Sequence, residues 1–212
     1  QNNCLNAKIH LNKYTIKNEI DNLPYLVLCY DYLDDTIMVN ELLPKLHNAY
    51  SSLNRKFQQG QAMVCYYTLK NKGRLNIKYH KDVETYKENH NDAIDLKQDN
   101  VTLNDIFYIN WYLQWSMIAG NYKHIPWIRR NIQDLFKTVV IRNSFFDITI
   151  ETNYYAVFFE TCCFLKLYDI CSKVYTFLSS RKNIDGLYMF KDGTIRVDIT
   201  IHVLNGIRQL CS

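Results

Sequence analysis

Residues 102–135 read TLNDIFYINWYLQWSMIAGNYKHIPWIRRNIQDL. Thr102 or Asn104 can cap a helix that carries Ile106, Ile109, Leu113 and Met117 at three- and four-residue spacing. Gly120 closes that helix. Pro126 then suits the first turn of a second helix, with Ile128, Ile132, Leu135 and Phe136 on one face. The stretch is a helical hairpin, and it decides how the flanking sequence is read.

Downstream, the pattern predicts helices over 152–167 and 172–179, a turn at 183–186, and a last helix over 198–210. Residues 187–197 fit a short hairpin around Asp192-Gly193, or a loop. Asp105, Glu151 and Asp198 each open an apolar-aromatic helix, at intervals of 46 and 47 residues. Ile128 and Val174 stand 46 apart, as do Ile132 and Leu178. Phe145-Phe146 and Tyr188-Met189-Phe190 each precede the next unit, and Asp21 could open an earlier one. A fixed period of helical hairpins is the mark of a repeat or toroid architecture.

Upstream, residues 16–57 are also helical in pattern, through Ile20, Leu23, Val27 and Leu28. Asp34-Asp35 can start a second helix carrying Val39, Leu42, Leu43, Leu46, Tyr50 and Leu53, with a kink or break expected at Pro44. Met63-Val64-Cys65-Tyr66-Tyr67-Thr68-Leu69 is rich in β-formers, and Leu75, Ile77 and Tyr79 alternate with polar residues. A β-hairpin is therefore expected over 62–79. The polar stretch 80–100 reads as a surface excursion. The chain reads as one domain, 1–212, with N-terminal helices over 1–60, the hairpin and excursion over 61–100, and helical-hairpin repeats over 101–212.

Composition agrees with a packed fold. Of 212 residues, 48% are apolar or aromatic and 22% charged, which excludes a disordered chain. Six Gly and three Pro are too few for a many-stranded sandwich. Seventeen Tyr, with abundant Asn, Lys and Ile, point to an AT-rich genome. The net charge of +4 is spread along the chain and gives no support for nucleic-acid binding. Seven Cys form an odd set without CxxC spacing, which suits a reduced cytoplasmic protein. The alternative is a secreted or viral lumenal protein, for which the sequon Asn100-Val101-Thr102 and Gln1 as a processed end would speak. No apolar run approaches the ~18 residues that span a bilayer, so no membrane partner is expected.

The segments Glu151-Thr152-Asn153-Tyr154-Tyr155-Ala156-Val157-Phe158-Phe159, Val174 onward through Asn183-Ile184-Asp185-Gly186-Leu187-Tyr188, and Asp198-Ile199-Thr200 carry a further signal. Together they resemble the repeat of the terpenoid cyclase and protein prenyltransferase α/α-toroid superfamily. In that repeat an inner helix and an outer helix are joined to the next unit by a Gln-x-x-Asp-Gly turn. Here Arg181 or Lys182 replaces the Gln, Leu187 stands at the second Gly, and about three and a half hairpins replace the five to seven of a closed ring. The resemblance implies a mainly α fold, with repeated antiparallel helical hairpins in an α/α-toroid-like arc and one or two short β-hairpins.

Candidate chemistry follows from both lines. Asp31-Tyr32-Leu33-Asp34-Asp35 could present carboxylates to Mg²⁺, as the aspartate-rich motif of terpenoid synthases does, or could simply cap a helix. Asn91 to Asp99 superficially resembles their second metal motif. Asp169, Cys171 and His202 hold the residue types of a prenyltransferase zinc site, although Asp169 and Cys171 fall at a helix link. His202 reads more simply as a helical histidine bonded to a neighbour, and Cys162 and Cys163 as core residues. The loop Tyr122-Lys123-His124-Ile125-Pro126-Trp127-Ile128-Arg129-Arg130 could stack on a base or pair with a phosphate, but reads more simply as a solvated helix start anchored by Trp127. No metal or cofactor is expected. Phe107, Tyr108, Trp111, Tyr112, Trp115, Tyr154, Tyr155, Phe158 and Phe159 crowd two presumptive inner helices. Of these, Tyr108, Trp111, Trp115, Tyr154, Tyr155 and Phe158 are the candidate ligand wall.

Two functional classes follow. One is a non-catalytic helical binding or assembly module with an aromatic-lined concave surface. The other is an α/α-toroid enzyme, or part of one, acting on an isoprenoid, polysaccharide or peptide. The last helix carries Ile199, Ile201, Val203, Leu204, Ile207 and Leu210, too many apolar positions for one free face. It is expected to pack back on residues 16–57, to self-associate or to meet a partner protein.

Overall fold

The computed structural model describes residues 23–50, 56–91, 101–142, 145–182, 188–189, 193 and 197–211. The described residues are mainly helical, with one two-stranded antiparallel hairpin. They gather into two compact units, Gln1–Asp95 and Leu96–Ser212.

In the first unit, α1 (Leu23–Tyr32) buries Leu23, Leu26, Val27 and Tyr30. It ends with Asp34 in the left-handed region at φ 55°. The amides of Asp34 and Asp35 return to the carbonyls of Asp31 and Tyr30, which satisfies those two acceptors of the last turn. Asp35 then caps α2 (Thr36–Ala49), accepting the Met38 amide at 3.2 Å. Val39, Leu42, Leu43 and Leu46 form the buried stripe of α2 at the expected spacing. Pro44 lies inside α2, whose helical assignment runs through it without a break.

The expected β-hairpin over 62–79 is overturned. Residues 56–71 form a helix, α3 (Lys56–Asn71), and every residue from Gly60 to Tyr67 is buried. A helix enclosed on all sides has a continuous apolar run, which periodicity alone cannot tell from a buried strand. The presumed turn Lys70-Asn71-Lys72-Gly73-Arg74 is the end of α3. Gly73 sits at φ 65°, and the Gly73 and Arg74 amides bond back to Lys70 and Leu69. The alternation of Leu75, Ile77 and Tyr79 also misleads: Leu75 and Tyr79 are buried while Ile77 is 81% exposed on a single 3₁₀ turn. The polar excursion is likewise helical from its start, as α4 (His80–Asn91). Val83 anchors α4 in the core, and Glu84 accepts hydrogen bonds from Tyr67 and Lys70 of α3.

The second unit opens with a capping box. The Thr102 amide and hydroxyl both donate to the Asp105 carboxylate, at 2.9 and 2.7 Å. α5 (Ile106–Ile118) is buried at Ile106 and from Ile109 to Ser116, and Gly120 (φ 71°) terminates it. α6 (Ile125–Leu135) has Pro126 in its first turn and buries Ile128, Ile132 and Leu135. A wide turn over Phe136–Val140 leads into the hairpin β1 (Ile141–Arg142) and β2 (Phe145–Phe146), with Ile141 opposite Phe146 and Arg142 opposite Phe145. The hairpin thus precedes the third long helix of this unit, not the region first assigned to it.

α7 (Thr152–Phe164) is the hub: it packs on α5, on α8 (Tyr168–Ser179) and on α9 (Val197–Cys211). Its burial from Tyr155 to Cys163 follows from that position. α7 and α9 approach closely at Gly206. A Cβ there would lie 2.7 Å from a Phe159 ring carbon and 3.2 Å from Cys163 Sγ. The side of the last helix that carries Ile199, Val203 and Gly206 is therefore covered within its own unit, by α7, while Leu204 stays 59% exposed. The turn expected over 183–186 lies outside the described residues, as does most of 187–197.

Candidate functional site

Three helices of the second unit each send one polar side chain into the same apolar interior. Asn110 from the middle of α5 and Glu160 from α7 are fully buried, and His202 from α9 is 3% exposed. One carboxylate oxygen, Glu160 Oε2, receives both partners: Asn110 Nδ2 at 2.7 Å and His202 Nδ1 at 2.6 Å. Trp111 lies edge-on to the His202 ring, with centroids 6.3 Å apart. Nδ1 donating to Glu160 fixes the imidazole tautomer and orientation, the same task a carboxylate performs for a general-base histidine. Glu160 Oε1 and Asn110 Oδ1 are buried with no hydrogen-bond partner among the described residues. A charge so placed costs several kcal/mol unless paired, so the His202 contact is what makes Glu160 tolerable there.

Composition did not single out Glu160 or Asn110. Their signal was available: Glu160 is the one charged residue of TNYYAVFFETCCF, and Asn110 interrupts IFYINWYL. His202 was expected to bond a neighbour, and it does so across two helices.

No family model, curated protein or solved structure matches this chain. The site must be judged on its own geometry.

The candidate aromatic residues are distributed between packing clusters. Trp111, Trp115, Tyr155 and Phe158 are all at most 3% exposed, while Tyr108 and Tyr154 are half-buried. Trp115 meets Tyr112 edge-on at 5.1 Å. Phe158 stacks on Phe136 at 6.2 Å, and Tyr155 packs on Phe146 and Phe177 at 5.9 and 4.5 Å. The Tyr155 hydroxyl donates to the Asp147 carbonyl at 2.7 Å, and burial pushes its ionisation up. Tyr154 packs edge-on against Phe107 and bonds Asn104. Tyr155 and Phe158 are thus brought together around the β1–β2 hairpin, and Trp111 and Trp115 lie along α5.

The acidic cluster of the first unit is engaged. Asp31 is 3% exposed and binds Lys72 at 2.6 Å and Arg74 at 2.8 Å, Asp34 binds Arg74, and Asp35 caps α2. Among the described residues no group of three or more His, Cys, Asp or Glu is placed to hold a metal. Asp169 is exposed, whereas Cys171 is buried and His202 pairs with Glu160. The second presumed metal motif, 91–99, falls almost wholly outside the described residues. In the 122–130 loop, Tyr122 is 59% exposed, Trp127 is half-buried, and Arg129 donates to the Leu165 carbonyl. No helix among the described residues is long and apolar enough to cross a membrane.

Proposed function

We propose that this chain is a non-catalytic helical binding or assembly module that acts through the outer face of α9. The observation that carries this reading is that α9 is apolar on two sides. Ile199, Val203 and Gly206 are buried on the α7 side. Ile201, Leu204 and Ile207 recur at three-residue spacing on the other, with Leu204 59% exposed. A helix that has already satisfied its core and still shows an apolar stripe suits a helix-to-helix contact. The occupant we favour is a second copy of this chain, meeting α9 against α9. Sedimentation over a hundredfold dilution tests it. A mass that rises with concentration, and no longer does so in Leu204→Asp, supports the reading. A heterologous partner is the inference if the chain stays monomeric while Leu204→Asp alters its function in cells.

Two further elements belong to this proposal. An α/α-toroid-like arc is supported by the neighbours of α7: the presumptive inner helices α5, α7 and α9 pack in sequence order, with α6 and α8 between them in the chain. Residence in the cytoplasm is supported by the buried free thiols Cys65, Cys162, Cys163 and Cys171.

The Glu160–His202 pair favours a second reading, an α/α-toroid enzyme in which His202 handles a proton. Turnover of an isoprenoid, polysaccharide or peptide that is lost in His202→Gln, with the melting temperature unchanged, would establish that reading in place of the first.

A further inference from the structure

Glu160 carries its hydrogen bonds unevenly. Oε2 accepts two short ones, 2.7 Å from Asn110 Nδ2 and 2.6 Å from His202 Nδ1, while Oε1 accepts none among the described residues. Asn110 shows the same imbalance: Nδ2 donates to Glu160, and Oδ1 is buried without a donor. Both residues are fully buried, and His202 is 3% exposed. Two acceptors cannot bond each other. Turning the Asn110 amide end for end gives no relief, because Oδ1 would then face Glu160 Oε2. What the pair lacks is a donor with two hydrogens. Buried polar atoms are almost always paired, and an ordered water is the usual partner where the protein supplies none.

We infer that the interior between α5, α7 and α9 binds one water molecule, which donates to Glu160 Oε1 and to Asn110 Oδ1. The two oxygens belong to groups that a 2.7 Å bond already joins, within the span of one bridging molecule. A buried water commonly makes about three hydrogen bonds. The third partner comes from the same stripe of α5. Gln114 stands one turn beyond Asn110, is 8% exposed, and has Nε2 buried without an acceptor among the described residues. The water accepts from that amide, and the orphan atoms Oε1, Oδ1 and Nε2 are satisfied together. A metal ion fits the place less well, since two oxygens fall far short of the about six to eight that Mg²⁺ or Ca²⁺ gathers. The short contacts on Oε2 are those of an ionised carboxylate, which leaves no proton on Oε1 to do the bridging.

Oxygen-17 relaxation dispersion of the solvent, measured on the full chain, counts waters that stay inside the protein for longer than it tumbles. Glu160→Gln is the comparison, because it keeps the shape of the side chain. Its oxygen can take over the bonds from Asn110 Nδ2 and His202 Nδ1, and its new amide can donate to Asn110 Oδ1. The water then loses both of its acceptors. The expected result is one long-lived water fewer in Glu160→Gln than in the unsubstituted chain. A crystal structure of the unsubstituted chain should show a density peak about 3 Å from both Glu160 Oε1 and Asn110 Oδ1. Three results overturn the inference: an equal count in the two proteins, an empty map at that place, or the infrared carbonyl band of a protonated carboxylic acid that disappears in Glu160→Gln. The map and the infrared band are read on the unsubstituted chain, so they decide the matter even if Glu160→Gln fails to fold.

Discussion

Lys166 occupies a position that the backbone reserves for glycine. Four helix ends close with the same pair of back-bonded amides, at Asp34, Gly73, Gly120 and Lys166, and all four residues have φ between 55° and 71°. A side chain in that region costs about 1–2 kcal/mol, part of which glycine returns through its freer unfolded chain. Lys166→Gly should therefore raise stability by about 1 kcal/mol, read as a higher urea midpoint at constant slope. Gly120→Ala is the mirror test. Nothing lies within 4 Å of the added Cβ, so its expected loss of about 1 kcal/mol is conformational alone. The buried polar cluster obeys a different rule. His202→Ala leaves the Glu160 carboxylate without its imidazole partner and should cost about 3–5 kcal/mol. The double change Glu160→Met with His202→Leu removes the charge with its partner and should recover most of that loss. A thermodynamic cycle over the two positions measures the coupling directly.

At the scale of elements, the sequence was most legible where helices have one wet face. In α2 and α6 the buried residues fall at helical spacing and the capping residue or proline marks the start, so pattern and structure coincide. Legibility failed where a helix is enclosed. α3 is buried without a break from Gly60 to Tyr67 and α7 from Tyr155 to Cys163, and in α3 the run from Met63 to Leu69 contains the same residue types a core strand would use. The polar cluster escaped for the same reason: in a helix with no wet face, Glu160 cannot be sorted by pattern into exposed or buried. Hairpin position escaped because β1 and β2 are only two residues each, too short to show alternation. Close packing between α7 and α9 yields a sharp expectation at Gly206. Alanine would gain about 1 kcal/mol of helix propensity. Its Cβ, however, would meet the buried Phe159 ring at 2.7 and 2.9 Å, contacts that force a shift of the ring or of α9. Overpacking of this kind costs up to about 3 kcal/mol, so Gly206→Ala should be destabilising by about 2 kcal/mol net. Thermal unfolding of that variant checks the sign, since propensity alone predicts the opposite one.

For the whole molecule, the decisive quantity is how much apolar surface α9 has left after packing on α7. The helix carries six apolar positions, Ile199, Ile201, Val203, Leu204, Ile207 and Leu210. Ile199 and Val203 are fully buried, and Ile201 and Ile207 are half-covered. Leu204 at 59% and Leu210 at 38% exposure are the principal remainder. Burying a leucine side chain is worth about 1.5–3 kcal/mol, so two copies joined mainly through Leu204 gain about 3–6 kcal/mol from that contact. Association itself costs about 4–15 kcal/mol, and a stable interface usually covers about 800 Å² on each partner. A single helix-to-helix contact falls short of that, which points to a weak dimer rather than a permanent one. The expected sedimentation behaviour is thus monomer at low micromolar concentration, with an average mass that climbs only toward about 1 mM. Cys211 offers an independent readout, since it is exposed and lies two turns from Leu204 on the same side of α9. A short bis-maleimide should join two copies through Cys211 at high concentration, and Leu204→Asp should abolish the cross-link while leaving helix content intact. A cross-link that survives Leu204→Asp, or a strict monomer across the whole range, removes α9 as the self-association face.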